Sequence, residues 1–440
     1  MMVLQALRGT TDVLADEVKR WSVIEHTARR LARLYGYEEI RTPLIEDAAL
    51  FLRSIGETTD IVQKEMFHLA DRGGPRAAES DRRGGHDIVL RPEGTASIVR
   101  AYLEHNLHKT QGFSKLFYLG PMFRAERPQA GRFRQFHQFG VEALGSSSAW
   151  VDVEVITLCL QILQACGIPK DAVWLSSMGC RKDQQRSAEQ LRQRLAPFMS
   201  QLCKECQSRF DKNVFRVLDC KNPTCHEMVW SKIKGSPFLL CEDCTVHFDQ
   251  VRRGLTVADV SFDDRAVFAR GLDYYTRTVF EVRAKGLGAQ DAVAAGGRYD
   301  HLVEELGGPS VGAVGFAAGL ERLLMVAQPA APAVEEVARR GLYLAIAQPN
   351  LTEEAFRFVQ QLRERGVSAA MDFDGKSLKA QLREANKQGC QFVAILGDTE
   401  LKQRMMTVKD LGQGGQRTVS FDAFVDEMGQ HATPACHAPR

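Results

Sequence analysis

Between residues 133 and 144 the sequence places a cation, an amide and a carboxylate at alternate positions. The segment has the apolar and aromatic content of a strand, and alternate side chains of a strand share one face. On that face Gln138 and Glu142 lie on either side of Gly140. Because four strand positions span roughly 13 Å, the two polar side chains could converge on a small polar ligand lying over the glycine. The whole face consists of Arg134, Phe136, Gln138, Gly140, Glu142 and Leu144.

The residues around this strand indicate that the ligand carries phosphate. Lys115–Arg124 predicts a partner strand, and Ala125–Gly131 predicts the connecting loop because it contains proline and glycine. Phenylalanines alternate with arginines here, and guanidinium groups pair with phosphate oxygens in a forked geometry. The alternative is a half-solvated hairpin with a polar outer face, which is common in antiparallel sheets. The hairpin has only Glu126 and Glu142 as anions against five cations, Lys115, Arg124, Arg127, Arg132 and Arg134.

Nucleotide binding by the common glycine-rich loops is excluded by the sequence. No GxxxxGK[ST] segment is present, and no GxGxxG segment follows a strand-like run. Fixed arginines can hold phosphates instead, and they stabilise the charge that develops during phosphoryl chemistry.

Five stretches resemble the class II aminoacyl-tRNA synthetases, in the form found in histidyl-tRNA synthetases. FRAERPQAGRFRQFHQFGVEALG (residues 123–145) is similar to motif 2, and VGAVGFAAGLERLLM (311–325) is similar to motif 3. FARGLDYYTRTVFE (268–281) and AGGRYD (295–300) resemble two signatures of the histidyl enzymes. IRTPL (40–44) reads as a strand broken by proline and resembles motif 1, whose family role is the dimer interface.

The resemblance implies a role for the arginines. Arg124 would grip the α-phosphate of ATP, Arg322 would reach the distal phosphates, and Arg270 would lie over the α-phosphate as the third catalytic cation. An arginine in a buried strand needs an anion, and the neighbouring Asp273 is the structural alternative to ATP for Arg270. The family also implies that the tRNA acceptor end meets Arg127, Gln129 and Arg132.

The histidine-binding residues follow from the same resemblance. Glu93 would hold the substrate ammonium group, although near a helix start it could simply complement the dipole. A carboxylate at Glu142 selects a ring that can donate a hydrogen bond, and a tyrosine hydroxyl can satisfy the other ring nitrogen. Because successive strand residues point to opposite faces, at most one of Tyr274 and Tyr275 is expected in the pocket unless the strand bends. The set implied is Glu93, Thr95, Gln138, Glu142, Tyr274 and Tyr275.

Bulk composition limits the functional classes. The 440 residues suffice for two or three domains. The net charge of +2 does not indicate a nucleic-acid partner, so any basic surface must be local. No apolar run approaches 18 residues and no signal peptide opens the chain, so we expect a cytoplasmic protein without a membrane partner. The eleven cysteines fit a reducing compartment better than a disulfide framework.

The pattern of elements predicts an α+β fold. By resemblance it is a class II synthetase antiparallel-sheet catalytic core with an inserted subdomain, followed by a C-terminal α/β anticodon-binding domain. In the C-terminal part, alternating strands and helices predict a mostly parallel sheet, and their near-cancelling charge gives no independent sign of RNA binding. The boundaries are residues 1–178 and 255–326 for the core, 179–254 for the insertion, 327–340 for a linker, 341–430 for the C-terminal domain and 431–440 for a tail.

Six cysteines cluster in the insertion as CxxC, Cx4C and CxxC. This spacing is typical of a structural zinc site, and the alternative is a set of packing residues. The expected ligands are the two CxxC pairs, with the Cys220/Cys225 pair replacing one of them as a second possibility and His226 or His247 replacing a single ligand. The two CxxC pairs are Cys203, Cys206, Cys241 and Cys244.

The activity implied is that of a histidine–tRNA ligase. Histidine reacts with ATP, which is supplied with Mg²⁺, to give histidyl-adenylate, and histidine then passes to the 3′ end of tRNA(His). The expected assembly is a homodimer. The rival is a regulatory histidine-sensing protein that resembles this core, but such proteins lack the C-terminal domain and usually degrade the ARGLDYYT signature that is present here. A generic ATP-binding module does not explain the Gln138 and Glu142 face.

Overall fold

A large sheet organises the first of two units into which the chain divides, between residues 328 and 329. The computed structural model describes residues 4–56, 59–69, 87–129, 131–168, 173–220, 222–233, 236–264, 272–284, 287, 291–327 and 341–431. Within these residues, each helix is too short or too polar to cross a lipid bilayer.

The strands of the first unit form two sheets. They are β1 (Glu38–Glu39), β2 (Ile45–Asp47), β3 (Phe67–His68), β4 (Ile88–Leu90), β5 (Ser114–Phe123), β6 (Gln135–Leu144), β7 (Val173–Ser177), β8 (Phe262–Asp263), β9 (Thr276–Arg283), β10 (Ala292–Arg298) and β11 (Ala313–Gly319). The large sheet has the order β1-β5-β6-β11-β10-β9-β7-β8 among the described strands, and β2-β4-β3 form a small one. All pairs of the large sheet are antiparallel except the two at its edges, β1 with β5 and β7 with β8.

Eleven α-helices belong to the described part of this unit. They are α1 (Ala15–Leu34), α2 (Ala48–Ile55), α3 (Thr95–Glu104), α4 (Leu107–Thr110), α5 (Ala149–Ala165), α6 (Arg181–Leu195), α7 (Lys204–Lys212), α8 (Pro223–Lys232), α9 (Glu242–Val257), α10 (Leu302–Glu305) and α11 (Leu320–Val326).

Strand β6 shows how the sequence divides the sheet into a dry face and a chemical face. Phe139, Val141 and Ala143 are buried in the core cluster formed with α1 and α5. Each large apolar side chain buried in this way stabilises the fold by about 1.5–3 kcal/mol. Gln138 and Glu142, which occupy the alternate positions of the strand, consequently point to the opposite face. Antiparallel pairing with β5 and β11 fixes this register, since a shift by one residue would move every polar side chain into the core.

The second unit is a mixed sheet covered by helices. Its strands are β12 (Leu342–Ile346), β13 (Ala369–Met371), β14 (Phe392–Leu396), β15 (Met405–Asp410) and β16 (Gly415–Ser420), and its helices are α12 (Thr352–Glu364), α13 (Leu378–Lys387), α14 (Asp398–Gln403) and α15 (Phe421–His431). The order is β13-β12-β14-β15-β16. Strands β12, β13 and β14 are parallel, but β14 with β15 and β15 with β16 are antiparallel, so the expectation of a mostly parallel sheet was wrong. Sequence patterning missed β16 because this edge strand is largely exposed and has no apolar run.

The motif 1-like stretch is a second correction. The predicted strand over residues 40–44 is a connection between β1 and β2. Pro43 has no N–H to contribute to a ladder. In addition, the Arg91 guanidinium donates hydrogen bonds to the carbonyl oxygens of Thr42 and Pro43, which a neighbouring strand would otherwise use. The apolar runs Phe67–His68 and Ile88–Leu90 pair as the antiparallel strands β3 and β4, and residues 70–86 between them lie outside the described residues.

Candidate active site

A cleft of about 480 Å³ opens on the chemical face of the large sheet. Strand β6 contributes its floor residues Gln138 and Glu142, as the alternation of its side chains predicts. Of the site residues predicted from the sequence, the cleft is lined by Glu93, Thr95, Arg124, Arg132, Gln138, Glu142, Tyr274, Tyr275 and Arg322.

Glu142 lies at the centre of a buried hydrogen-bond network. Its side chain accepts hydrogen bonds from the hydroxyl groups of Thr95, at 2.7 Å, and Tyr299. Among the described residues, no cation pairs with Glu142. Burial raises the pKa of Glu142 to about 8, against the opposing effect of the two hydroxyl donors. A buried carboxylate in this state gains from a ligand that donates a hydrogen bond or carries positive charge.

The space over Gly140 is filled by protein. The ring of Tyr118, which lies directly opposite Gly140 in the β5–β6 pair, covers it, and a Cβ at position 140 would lie 2.5 Å from the ring. Gly94 also makes room for this ring, because a Cβ at position 94 would lie 2.6 Å from it. The expectation that a ligand lies over Gly140 is therefore corrected: the glycine accommodates a tyrosine that lines the cleft.

Two buried polar atoms of the cleft have no hydrogen-bond partner among the described residues. They are the hydroxyl of Tyr118 and Oε1 of Gln138. Buried polar groups are nearly always hydrogen-bonded in native proteins, so unpaired ones that line a cleft point to a polar ligand.

Glu93 anchors the start of α3. Its carboxylate accepts hydrogen bonds from the backbone N–H groups of Thr95 and Ala96, at 2.7 and 2.8 Å. Burial raises the pKa of Glu93, and these two donors oppose the rise. Glu93 therefore does stabilise the start of a helix, which was the structural role considered for it as an alternative. A carboxylate has about four acceptor positions, so it can also face a ligand from the cleft wall.

Tyr274 and Tyr275 both line the cleft, with ring centroids 4.8 Å apart. The expectation that only one would do so assumed that the strand includes them, but β9 begins at Thr276. The two tyrosines lie in the preceding turn, where strand alternation does not apply. The amide of Gln184 on α6 donates a hydrogen bond to the Tyr275 carbonyl oxygen at 2.9 Å and so fixes the turn.

The cations of motifs 2 and 3 meet in this cleft. The Nε of Arg124 donates to the Pro92 carbonyl oxygen at 3.0 Å, and its guanidinium lies 5.2 Å from the centre of the Phe136 ring. Burial and then the nearby Arg132 cation lower the pKa of Arg322. Neighbouring like charges in a half-buried place are relieved by a bound anion.

Three of the named residues are not among those lining the cleft. Arg127 and Gln129 are exposed on the loop between β5 and β6. Arg270 lies outside the described residues. Asp273, the structural alternative partner of Arg270, accepts hydrogen bonds from Asn213 at 3.0 Å and Arg216 at 3.5 Å.

Sequence reasoning missed several residues of the cleft. Tyr299 belongs to the AGGRYD stretch, where its neighbour Arg298 attracts attention first, and only the fold brings it to Glu142. Tyr118 could have been found from a large residue facing a glycine across the hairpin. Arg209 and Arg216 reach the cleft from the insertion, and nothing in their sequence spacing predicts this.

Arg298 supports the site from behind. It is fully buried and pairs with Asp152 of α5, so it ties β10 to that helix. Burial opposes ionisation of Asp152, but the Arg298 charge and the hydrogen bonds from His247 and Arg298 together outweigh it and lower the pKa of Asp152 to about 2. Breaking such a buried pair from one side costs about 3–5 kcal/mol.

Comparisons with known proteins decide the family. The sequence profile described as "Histidyl-tRNA synthetase" matches residues 9–201 and 243–323, and the profile "Anticodon binding domain" matches residues 341–431. The chain belongs to the histidyl-tRNA synthetase family. The resemblance to this family, the α+β fold class and the C-terminal anticodon-binding domain are thereby confirmed.

Full-length relatives support the same assignment. A histidine–tRNA ligase of Halothermothrix orenii is 43% identical over 430 residues, covering 97% of this chain and 99% of the relative. One of Desulfitobacterium hafniense is 45% identical over 426 residues, with coverage of 96% and 97%. The apo crystal structure of the Staphylococcus aureus histidyl-tRNA synthetase aligns with a TM-score of 0.77 at 31% identity and covers 97% of this chain and 100% of that one.

In this histidyl-tRNA synthetase family member, the cysteines of the insertion form two separate clusters. In each one, the four ligand atoms lie within 4.8 Å of one another. We call them the knuckle cluster (Cys203, Cys206, Cys220, Cys225) and the clip cluster (Cys180, Asp183, Cys241, Cys244).

The two clusters correct the first ligand set expected from the sequence. The CxxC pair at 203 and 206 meets the Cys220/Cys225 pair, which was the second possibility, whereas the pair at 241 and 244 belongs to the clip cluster. The reason is topological: the second CxxC begins α9, which packs beside the start of α6. His226 and His247 belong to neither cluster.

Proposed function

We propose that the cleft binds L-histidine beside ATP and forms histidyl-adenylate. The observation that carries this proposal is the buried Glu142 carboxylate, which is held by the Thr95 and Tyr299 hydroxyls in the same cleft as Arg124 and Arg322. An imidazole N–H suits a buried acceptor of this kind, and guanidinium groups suit phosphate oxygens.

In the proposed reaction, the histidine carboxylate attacks the α-phosphorus of ATP, and the bond to the bridging oxygen of pyrophosphate breaks. Arg124 and Arg322, with Arg270 from the signature segment, neutralise the phosphate charge as it builds. Mg²⁺ arrives with the ATP and shares that task. No general base is required, because the attacking group is already a carboxylate.

Histidine selection falls to the other end of the cleft. Glu142 accepts from one ring nitrogen, and the unpaired Tyr118 hydroxyl or Gln138 Oε1 completes the polar contacts. Glu93 and Thr95 face the substrate ammonium group, and the Tyr274 and Tyr275 rings close the pocket. A site built around a substrate hydrogen bond rejects competitors that lack it, because its own polar groups are then left unpaired.

The second step transfers histidine to the terminal adenosine of tRNA(His) and releases AMP. The exposed Arg127 and Gln129, together with Arg132, lie on one loop that leads into the cleft, which suits contact with the acceptor end. The family assignment of residues 341–431 supports anticodon contact by the second unit.

We assign residues 1–178 and 255–326 to the catalytic core, 179–254 to an inserted subdomain, 327–340 to a linker and 341–430 to the anticodon-binding domain, with residues 431–440 as a tail. The break in the family profile at residues 202–242 supports the insertion. We also place the protein in the cytoplasm, where its tRNA substrate is used, and expect a homodimer. Leu44, which ends the motif 1-like stretch, and Ile45, which follows it, are 41% and 53% exposed and are available for a second copy.

The knuckle cluster is proposed to hold a structural zinc ion. Its Cys203 and Cys220 sulfurs are 3.7 Å apart, close to the separation of about 3.8 Å that tetrahedral Zn–S bonds of 2.3 Å require. The backbone N–H of Cys203 also donates to the Cys225 sulfur at 3.3 Å, and donors of this kind orient thiolate ligands.

Histidine-dependent ATP–pyrophosphate exchange tests the proposed function, followed by charging of tRNA(His). Exchange should require L-histidine and lead to charged tRNA. The rival, a regulatory histidine-binding protein, would bind histidine without exchange, and that result would overturn the proposal.

A further inference from the structure

The clip cluster joins the two ends of the insertion. Cys180 and Asp183 occupy the position just before α6 and its third residue, and Cys241 and Cys244 occupy the corresponding positions of α9. The two helix starts therefore present four ligand groups to one point, with all four ligand atoms within 4.8 Å of one another.

The donor set suits a thiophilic divalent ion. Three cysteine sulfurs and one carboxylate oxygen match the ligands that Zn²⁺ takes in four-coordinate structural sites. Cys244 and Asp183 are buried, and Cys180 and Cys241 are half-buried, so the ion would be shielded from water without being sealed off. None of the three sulfurs is in a disulfide.

The surroundings supply what a negatively charged metal site needs. Three thiolates, one carboxylate and Zn²⁺ leave a net charge of −2, and both helix N-termini direct their positive ends at it. Arg186 pairs with Asp183 Oδ1 at 2.6 Å, while Oδ2 accepts from the Cys180 N–H at 3.3 Å. A ligating carboxylate is typically held by partners of this kind.

We propose that the clip cluster binds a second zinc ion, independent of the one at the knuckle cluster. The ion pins the entry and the exit of the insertion to each other. The segment that the family profile leaves unmatched, residues 202–242, lies almost entirely between the two halves of the clip. All four knuckle ligands lie inside that segment. The knuckle ion therefore stabilises the fold of the insertion itself, and the clip ion holds the two ends of the insertion together where they join the core.

The clip is also connected to the cleft through short backbone contacts. Met178 and Gly179, which precede the clip, exchange hydrogen bonds with Arg277 at 2.7 and 2.8 Å. Gln184, which follows Asp183, holds the Tyr275 carbonyl oxygen. The clip ion therefore fixes the origin of the helix that positions the Tyr275 turn.

Metal analysis of the purified full-length protein tests the proposal. We expect about two zinc ions per chain in the unmodified protein, about one in Cys244→Ala and about one in Cys225→Ala. Cys166→Ala, which removes a buried cysteine outside both clusters, should keep both ions and serves as the matched control. A zinc content that is the same in Cys244→Ala as in the unmodified protein would overturn the clip site.

The two sites can fail separately. If the unmodified protein holds one zinc that only Cys244→Ala removes, the clip site stands and the knuckle site falls; the reverse pattern overturns the clip. Neither result depends on aminoacylation, so failure of the proposed function is scored in a different assay.

X-ray absorption at the zinc edge gives a test that requires no variant. Four sulfurs at the knuckle, and three sulfurs with one oxygen at the clip, predict an average of three and a half sulfurs and half an oxygen per zinc, with Zn–S near 2.3 Å. Asp183→Cys should keep two ions and raise the average to four sulfurs. An oxygen contribution that does not change in this variant would exclude Asp183 as a ligand and contradict the proposed site.

Discussion

Replacing Glu142 by glutamine is the sharpest perturbation of the histidine pocket. The substitution keeps the shape, but the carboxylate that accepts from both Thr95 and Tyr299 becomes a neutral amide with one acceptor atom. The Thr95 hydroxyl can still donate to the amide oxygen, whereas the amide nitrogen must now donate to Tyr299 or face the substrate ring. In either arrangement, the second carboxylate oxygen, which could accept from an imidazole N–H, is replaced by a donor.

The magnitude follows from the kind of hydrogen bond that is removed. A hydrogen bond to a charged group contributes about 1.5–3 kcal/mol. At about 1.4 kcal/mol per tenfold change, loss of this one contact lowers kcat/KM for histidine by about 10- to 150-fold. An unpaired ring N–H adds its own desolvation cost, so this range is a lower bound.

The assay is ATP–pyrophosphate exchange at varied histidine and, separately, at varied ATP. Because Arg124 and Arg322 are unchanged, the KM for ATP should stay within about twofold. Glu154→Gln is the matched control, since it also neutralises a carboxylate of the first unit but pairs with Lys115 outside the cleft. Normal histidine activation by Glu142→Gln, or a loss confined to ATP, would refute the assignment of Glu142 to histidine.

Three further predictions test neighbouring parts of the account. Arg270→Ala should abolish histidine-dependent exchange while the protein stays folded by circular dichroism, because losing one preorganised contact to the developing charge costs about 2.7–4 kcal/mol; near-normal exchange would remove Arg270 from the mechanism. Burial raises the pKa of Glu142 from 4.5 to about 8, so the folded state binds more protons than the unfolded state between these values and stability falls as pH rises through that window. Relative to the unmodified protein, Glu142→Gln should therefore gain on the order of 4 kcal/mol in unfolding free energy between pH 4.5 and pH 8, and equal pH dependence of the two proteins in urea unfolding would contradict the raised pKa of the buried Glu142. Gly140→Ala places a Cβ 2.5 Å from the Tyr118 ring and should cost about 1–3 kcal/mol and raise the KM for histidine, whereas an unchanged melting temperature and KM would show that the ring moves freely.

The parts of the site that the sequence predicts are those governed by local periodicity. Strand alternation alone places Gln138 and Glu142 on one face, and the structure lines the cleft with both. The same rule failed at Tyr274 and Tyr275, because the strand begins one residue after them and a turn frees both rings.

The parts that could not be predicted depend on non-local pairing. Tyr299 reaches Glu142 only because β6, β11 and β10 are neighbours in the sheet, although β6 is far from the other two strands along the chain. The cysteine pairing has the same origin, since the spacing CxxC does not reveal that α6 and α9 begin side by side. Strand β16 was missed for the opposite reason: it is a local hairpin partner whose side chains are too exposed to leave an apolar pattern.

The most direct test of the central claim is a crystal structure of the protein with L-histidine and a non-hydrolysable ATP analogue. We expect a ring nitrogen of the histidine to lie within about 2.6–3.2 Å of a Glu142 carboxylate oxygen, with the α-phosphate within the same range of Arg124. A histidine ring bound elsewhere in the cleft, with Glu142 still held only by Thr95 and Tyr299, would contradict it.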